Sequence, residues 1–91
     1  MTRCVFLDRD GVIIRTDVVD GKPYAITSFD GLDILEGVAD AIYRLRQAGF
    51  MIVVVSNQPD VAAGKVTRDV VEAINAELMG TLGLDEIKTC Y

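Results

Sequence analysis

Arg3-Cys4-Val5-Phe6-Leu7-Asp8-Arg9-Asp10-Gly11 is the stretch that decides the fold. Its apolar centre stops abruptly at Asp8, the pattern of a short buried strand that runs into a polar turn. A second apolar run, Phe50 to Val55, ends the same way at Ser56-Asn57-Gln58-Pro59. Between the two, Gly37 to Ala48 predicts a helix. Val38, Ile42 and Leu45 share a face, Arg44, Arg46 and Gln47 fill the last turn, and Gly49 stops it. Downstream, a loop runs through Gly64, and Thr67 caps a second helix with Asp69 in its first turn. Val71, Ile74, Leu78 and Leu82 form the apolar face of that helix, Gly83 ends it, and Glu86 to Tyr91 predicts a third strand.

The segment from Val12 to Phe29 has no helical period. Asp20-Gly21, between Val18-Val19 and Tyr24-Ala25-Ile26, signals a hairpin, so a small β-flap over about residues 12–30 is expected beside the first strand end. The order β, flap, α, β, α, β predicts an α/β domain: a parallel sheet of three strands, two helices and right-handed crossovers. Residues 1–91 form one domain, without repeats or low-complexity segments. A chain of this size buries roughly 60–65% of its unfolded surface, enough for one modest core.

Charge narrows the function classes. The net charge is −5, His is absent and no basic cluster occurs, which argues against nucleic-acid binding. The apolar start is interrupted at Asp8, too early for a signal peptide. No apolar run approaches the ~20 residues of a membrane helix. Two cysteines, Cys4 and Cys90, fall in strand-like segments and are expected to be reduced thiols, with the cytoplasm as the simplest location.

In open parallel sheets, ligands bind beyond the carboxyl ends of the strands. Asp8-Arg9-Asp10-Gly11 and Ser56-Asn57-Gln58 both fall there. Two carboxylates two residues apart can divide phosphoryl transfer: one attacks phosphorus and becomes an aspartyl-phosphate, the other protonates the leaving oxygen and then deprotonates water. A dianionic phosphate beside two carboxylates requires a cation, and Mg²⁺ accepts carboxylate and phosphate oxygens. Gly11 permits a sharp backbone turn, and the Ser56 hydroxyl can bond a phosphoryl oxygen. A turn or helix cap accounts equally well for Asp8-Arg9-Asp10-Gly11 taken alone, and Ser56-Asn57 taken alone is more often a turn than a site. Their joint placement at adjacent strand ends favours a site.

Val5-Phe6-Leu7-Asp8-Arg9-Asp10-Gly11-Val12-Ile13 resembles motif I of the haloacid dehalogenase (HAD) superfamily, and Val53-Val54-Val55-Ser56-Asn57-Gln58 resembles its motif II. Leu35-Glu36-Gly37-Val38-Ala39-Asp40-Ala41-Ile42, Ala48-Gly49-Phe50 and Ala62-Ala63-Gly64-Lys65 extend the likeness to the smallest-cap branch of phosphatases. That branch contains D-glycero-D-manno-heptose 1,7-bisphosphate phosphatase and histidinol-phosphate phosphatase. The resemblance implies a Rossmann-like three-layer sandwich and a Mg²⁺-dependent hydrolase acting on a small phosphorylated metabolite such as a sugar bisphosphate. It implies that Asp8 is the nucleophile and a Mg²⁺ ligand. Asp10 becomes the general acid/base, holding Mg²⁺ through its backbone carbonyl. Ser56 and Asn57 contact the phosphoryl group, and Gln58 and Lys65 occupy substrate-side positions, although a lone lysine before a helix is more often simply solvated. Arg9 is expected to point away from the site, with no catalytic role.

The same resemblance sets a second group of expectations. The family's motif III cation and motif IV acidic residues have no counterpart in the 91 residues, so the chain is expected to be the N-terminal half of such an enzyme, with little activity alone. Lys88 falls inside the third strand, too early for the motif III role. Cys90-Tyr91 matches the opening of the branch's zinc loop, but one thiolate makes no zinc site, so Cys90 reads as an ordinary strand cysteine. Without further strands the first strand is an exposed edge, open to self-association. Two other classes stay open: a non-catalytic binding or assembly module that keeps half of the fold, and, below it, a phospho-accepting receiver domain. The latter draws its acidic groups from different strand ends, not from one Asp-x-Asp.

Overall fold

A computed structural model describes residues 3–19, 22–24 and 29–91 of the chain. The expected strands form. β1 (Arg3–Asp8), β4 (Phe50–Asn57) and β5 (Glu86–Cys90) make a three-stranded sheet in the order β1-β4-β5. Both pairings are parallel. Asp8 lies opposite Val55, and Val55 in turn lies opposite Lys88. β2 (Asp17–Val19) and β3 (Lys22–Tyr24) pair antiparallel as a separate hairpin, with Val19 opposite Lys22. The expected Asp20-Gly21 turn, Ala25 and Ile26 lie outside the described residues.

Helix α1 (Val38–Gln47) follows a 3-10 turn at Phe29–Gly31. Helix α3 (Arg68–Leu82) begins where Thr67 predicts: its side-chain oxygen accepts from the Val70 N–H at 3.3 Å. Gly83, at φ 65°, ends it in the left-handed region that glycine enters without steric cost. Val71, Ile74, Leu78 and Leu82 are the buried residues of α3, the four positions that its periodicity marks. Two local differences from expectation occur after β4. The strand continues through Ser56 and Asn57, because both extend the ladder against Thr89 and Cys90 of β5. The expected loop before Gly64 contains a short helix, α2 (Pro59–Ala62), started by Pro59 at its first position.

One face of the sheet carries the core. Ile52 and Val54 of β4, Ile42 of α1, and Ile74, Leu78 and Leu82 of α3 form one buried cluster, with Val5, Leu7 and Ile87 packed against it. Both long helices therefore cover the same face. Ile13 and Ile14 join that cluster from the turn after Gly11, and both of their N–H groups donate to the Arg9 carbonyl at 3.0 Å. The Asp85 carboxylate joins α1 to the sheet, accepting from Arg46 at 2.8 Å and from the Ile52 N–H at 2.7 Å. The opposite sheet face carries Cys4, Phe6 and Asp8 of β1 with Met51 of β4. Phe6 is 65% exposed and Met51 43%. Among the described residues, β1 has β4 as its sole strand neighbour, so its outer edge is unpaired.

Leu78 has no solvent exposure. Leu78→Ala is expected to cost about 2–5 kcal/mol through lost transfer energy and a residual cavity. Urea unfolding followed by circular dichroism measures it, and a loss below about 1 kcal/mol would show that α3 is not packed as described.

Candidate active site

The parallel direction of β1, β4 and β5 brings their carboxyl ends to one side of the sheet. A pocket there is lined by Asp8, Val55, Ser56, Asn57, Lys88, Thr89 and Cys90. A second concavity beside it is lined by Asp8, Arg9, Asp10, Val55, Ser56 and Asn57. Asp8, Asp10, Ser56 and Asn57, selected from the sequence, thus come together.

The two aspartates are held differently. Asp8 ends β1, is exposed, and has no side-chain hydrogen bond among the described residues. Asp10 lies two residues on, where Gly11 at φ 83° turns the chain so that its N–H reaches the Ile14 carbonyl at 2.8 Å. A Cβ at that φ would strain the backbone, which is why glycine follows Asp10. The Asp10 carboxylate accepts three N–H donors. Arg9 Nη2 reaches Oδ1 at 3.1 Å, Arg9 Nε reaches Oδ2 at 3.3 Å, and Gln58 Nε2 reaches Oδ2 at 2.7 Å. A carboxylate offers about four lone-pair sites, so Oδ1 retains one.

Gln58 departs from its expected substrate-side place. It is 1% exposed, and its Nε2 donates both to Asp10 and to Ser56 Oγ, the latter at 2.6 Å. Both amide hydrogens are thereby used inside the protein. Ser56 Oγ accepts from Gln58, which leaves its own proton available for a further acceptor, and Ser56 lines the pocket. The backbone N–H of Gln58 donates to the Cys90 carbonyl at 2.7 Å, tying this brace to β5.

Lys65 is exposed and lines neither concavity that contains Asp8. Its backbone N–H closes the turn onto the Asp60 carbonyl at 2.9 Å. Lys88, set aside in the sequence, does line the Asp8 pocket. Register explains why: Asp8, Val55 and Lys88 form one cross-strand row, so their side chains share the helix-free face. Alternation counted back from the end of β5 was the available signal. Arg9 is the larger surprise. It is 1% exposed and bonded to Asp10 instead of turned away from it, because a guanidinium buried beside an exposed strand end needs a carboxylate.

No group of three or more His, Cys, Asp or Glu side chains among the described residues is arranged to hold a metal. Mg²⁺ does not require such a cage. It uses one or two protein carboxylates and completes its shell with waters and phosphate oxygens. The donors at hand suit it. Asp8 is uncommitted, and among the described residues no N–H donates to the Asp10 carbonyl. The Asp10 carboxylate, by contrast, is largely occupied by N–H donors.

Gln58→Leu removes the donor shared by Asp10 and Ser56 at a buried position. The expected cost is about 1–3 kcal/mol, from buried acceptors left under-satisfied. Urea unfolding of the variant checks it; unchanged stability would mean that the brace is not formed in solution.

No family model matches the chain. Similar proteins are nevertheless found by sequence. The D-glycero-beta-D-manno-heptose-1,7-bisphosphate 7-phosphatase of Escherichia coli (strain K12) is 44% identical over 63 residues, covering 69% of this chain and 30% of that protein. The protein of the same name from Rhodopseudomonas palustris is 31% identical over 90 residues, covering 93% of this chain and 47% of the relative. The histidine biosynthesis bifunctional protein HisB of Xanthomonas campestris is 43% identical over 58 residues, covering 64% of this chain and 14% of the relative. Among solved structures, D,D-heptose 1.7-bisphosphate phosphatase from B. bronchiseptica, complexed with magnesium and phosphate, superposes with a TM-score of 0.79 at 30% identity. That superposition covers 98% of this chain and 50% of the other. The chain therefore spans half or less of the length of the proteins it matches.

Proposed function

This chain is a homologue of the HAD-type phosphatases, and on that premise we propose that it carries the phosphoryl-accepting site of a Mg²⁺-dependent phosphomonoester hydrolase. The substrate class is a small phosphorylated metabolite such as a sugar bisphosphate, in keeping with the names of the relatives. One observation carries the reading. An uncommitted Asp8 carboxylate opens onto the same concavity as Ser56 and Asn57, two residues from an Asp10 carboxylate that is clamped in place.

A nucleophile needs a free lone pair, and Asp8 has one. Its oxygen attacks phosphorus, the bond from phosphorus to the leaving oxygen breaks, and an aspartyl-phosphate forms. Asp10 gives its proton to the leaving oxygen, then takes one from the water that attacks the phosphoenzyme. That second attack releases inorganic phosphate and regenerates Asp8. The Ser56 hydroxyl and the Asn57 side chain donate to phosphoryl oxygens. When bound, Mg²⁺ supplies charge neutralisation between the nucleophile and the phosphate, held by the Asp8 carboxylate and the Asp10 carbonyl. Lys88 adds the pocket's own positive charge. Lys65 and Gln58 are left outside substrate contact in this reading.

Turnover by these 91 residues alone is expected to be low. Two carboxylates face the phosphate, while among the described residues Lys88 is the one cationic side chain lining the larger pocket. The test is hydrolysis of p-nitrophenyl phosphate and of a sugar bisphosphate, with and without Mg²⁺. Asp8→Asn and EDTA are each expected to remove at least about 99% of whatever Mg²⁺-dependent activity is present, given what loss of a nucleophile costs. Activity in Asp8→Asn equal to that of the unsubstituted chain overturns the reading. A non-catalytic module is the outcome if Mg²⁺ with beryllofluoride also leaves Asp8 unmodified.

Association with a second copy through the sheet edge is part of the same proposal. It is supported by the unpaired side of β1 and the exposure of Phe6 and Met51. Light scattering is expected to show concentration-dependent assembly that Phe6→Lys reduces; a strictly monomeric chain at millimolar concentration would exclude it. No helix of the described residues is long and apolar enough to cross a membrane.

A further inference from the structure

Arg9 is nearly as buried as any side chain in the protein, yet it stands between the two aspartates of the site. Its guanidinium is bonded at both ends. Nε and Nη2 grip the two oxygens of Asp10 at 3.3 and 3.1 Å, while Nη1 donates to Asn75 Oδ1 at 3.0 Å. Asn75 lies in the middle of α3, and its Nδ2 donates to Thr89 Oγ1 of β5 at 3.0 Å. One continuous chain of hydrogen bonds thus runs Asp10–Arg9–Asn75–Thr89, from the turn after β1 through α3 to β5.

Energetics argue against stability as its main purpose. A buried ion pair is poor value against a well-packed apolar replacement, since desolvation cancels most of the attraction. Asparagine is also a poor mid-helix residue, and Asn75 stands next to Ile74 in a helix whose other inward positions are Val71, Leu78 and Leu82. What the arrangement does supply is orientation. A planar guanidinium gripping both oxygens fixes the plane of a carboxylate, which a single lysine contact does not. Asn75, itself held by Thr89, fixes the guanidinium.

We propose that Arg9, anchored by Asn75, is a positioning residue that locks the Asp10 carboxylate so that the remaining lone pair of Oδ1 serves the phosphoryl site. The inference rests on the phosphatase reading for the task of Asp10, but not for the existence of the lock. Two variants test it. Asn75→Ala removes the anchor without touching Asp10, and Arg9→Lys keeps the charge but loses the fork.

The first measurement needs no turnover. In ¹⁵N-labelled protein, the Arg9 Nε–H signal should exchange with solvent at least about tenfold more slowly than that of Arg44, whose side chain is 79% exposed. The difference should collapse in Asn75→Ala, and the Asp10 side chain should take up additional rotamers in crystals of either variant. Equal exchange of Arg9 and Arg44 in the unsubstituted chain overturns the proposal. So does a single unchanged Asp10 rotamer in both variants, whether or not the chain hydrolyses phosphate. The second measurement reads the consequence. With Mg²⁺ and p-nitrophenyl phosphate, both variants should lose about 10–100-fold in kcat, the scale of a small misplacement of a reacting group, with KM within a factor of two. A rise in KM at constant kcat contradicts positioning. If the unsubstituted chain shows neither Mg²⁺-dependent turnover nor a beryllofluoride adduct at Asp8, the proposed function fails, while exchange and rotamers still decide the lock.

Discussion

Parallel pairing of β1 with β4, and of β4 with β5, is the constraint on which the site depends. It sends three carboxyl ends to one side and sets which residues meet there. Val55 is the pivot, because it pairs with Asp8 on one flank and Lys88 on the other. A slip of one residue in either ladder would turn Asp8 or Lys88 to the helix-covered face, among Val5, Leu7, Ile52 and Ile87. Burial of that apolar set therefore enforces the register. The same packing that makes the core thus places an acid and a base on the opposite face.

Beyond the strand ends, the site is built in two shells of different character. Asp8, Asn57 and Lys88 are exposed and face the pocket with few ties. Behind them, Arg9, Gln58 and Ser56 are buried, and each is bonded within the protein. Such a division would suit the proposed phosphoryl transfer, in which Asp8 reacts and is free while Asp10 handles a proton and is held. It also satisfies the interior: no buried side-chain nitrogen or oxygen among the described residues lacks a partner. Each buried polar group is there because another requires it: Arg9 needs Asp10, Asn75 meets Arg9, and Gln58 links Asp10 to Ser56.

Much of the fold was legible in the sequence because local physics and tertiary packing agree. Thr67 and Gly83 mark the ends of α3 by capping chemistry, and the spacing of Val71, Ile74, Leu78 and Leu82 marks its buried face. The hairpin partners follow from the turn signal between Val19 and Lys22. The misses share another cause. Ser56 and Asn57 belong to the strand because Thr89 and Cys90, far along the chain, extend the ladder. Gln58 turns inward because Asp10 and Ser56 await a donor there, and neither is its sequence neighbour in a way that periodicity shows. Arg9 is the sharpest case. Charge at a strand end suggests an exposed side chain, but Asp10 beside it and Asn75, 66 residues away, together satisfy the buried guanidinium.

The two faces of the sheet are unequal, and the inequality bears on the chemistry. α1 and α3 both pack on the face of Ile52 and Val54, leaving Phe6, Met51 and Cys4 exposed on the other. Asp8 and Lys88 stand on that exposed face, at its rim. Phe6 lies one alternation before Asp8, so a group that covered Phe6 and Met51 would come close to the same rim. In the proposed phosphoryl transfer, water would matter in opposite ways at the two steps: it weakens the attraction between Lys88 and a phosphate, yet it is the second nucleophile. The apolar face and the rim that carries Asp8 and Lys88 thus belong to one side of the sheet, and burial of the first would lower the dielectric around the second, where a single lysine then counts for more.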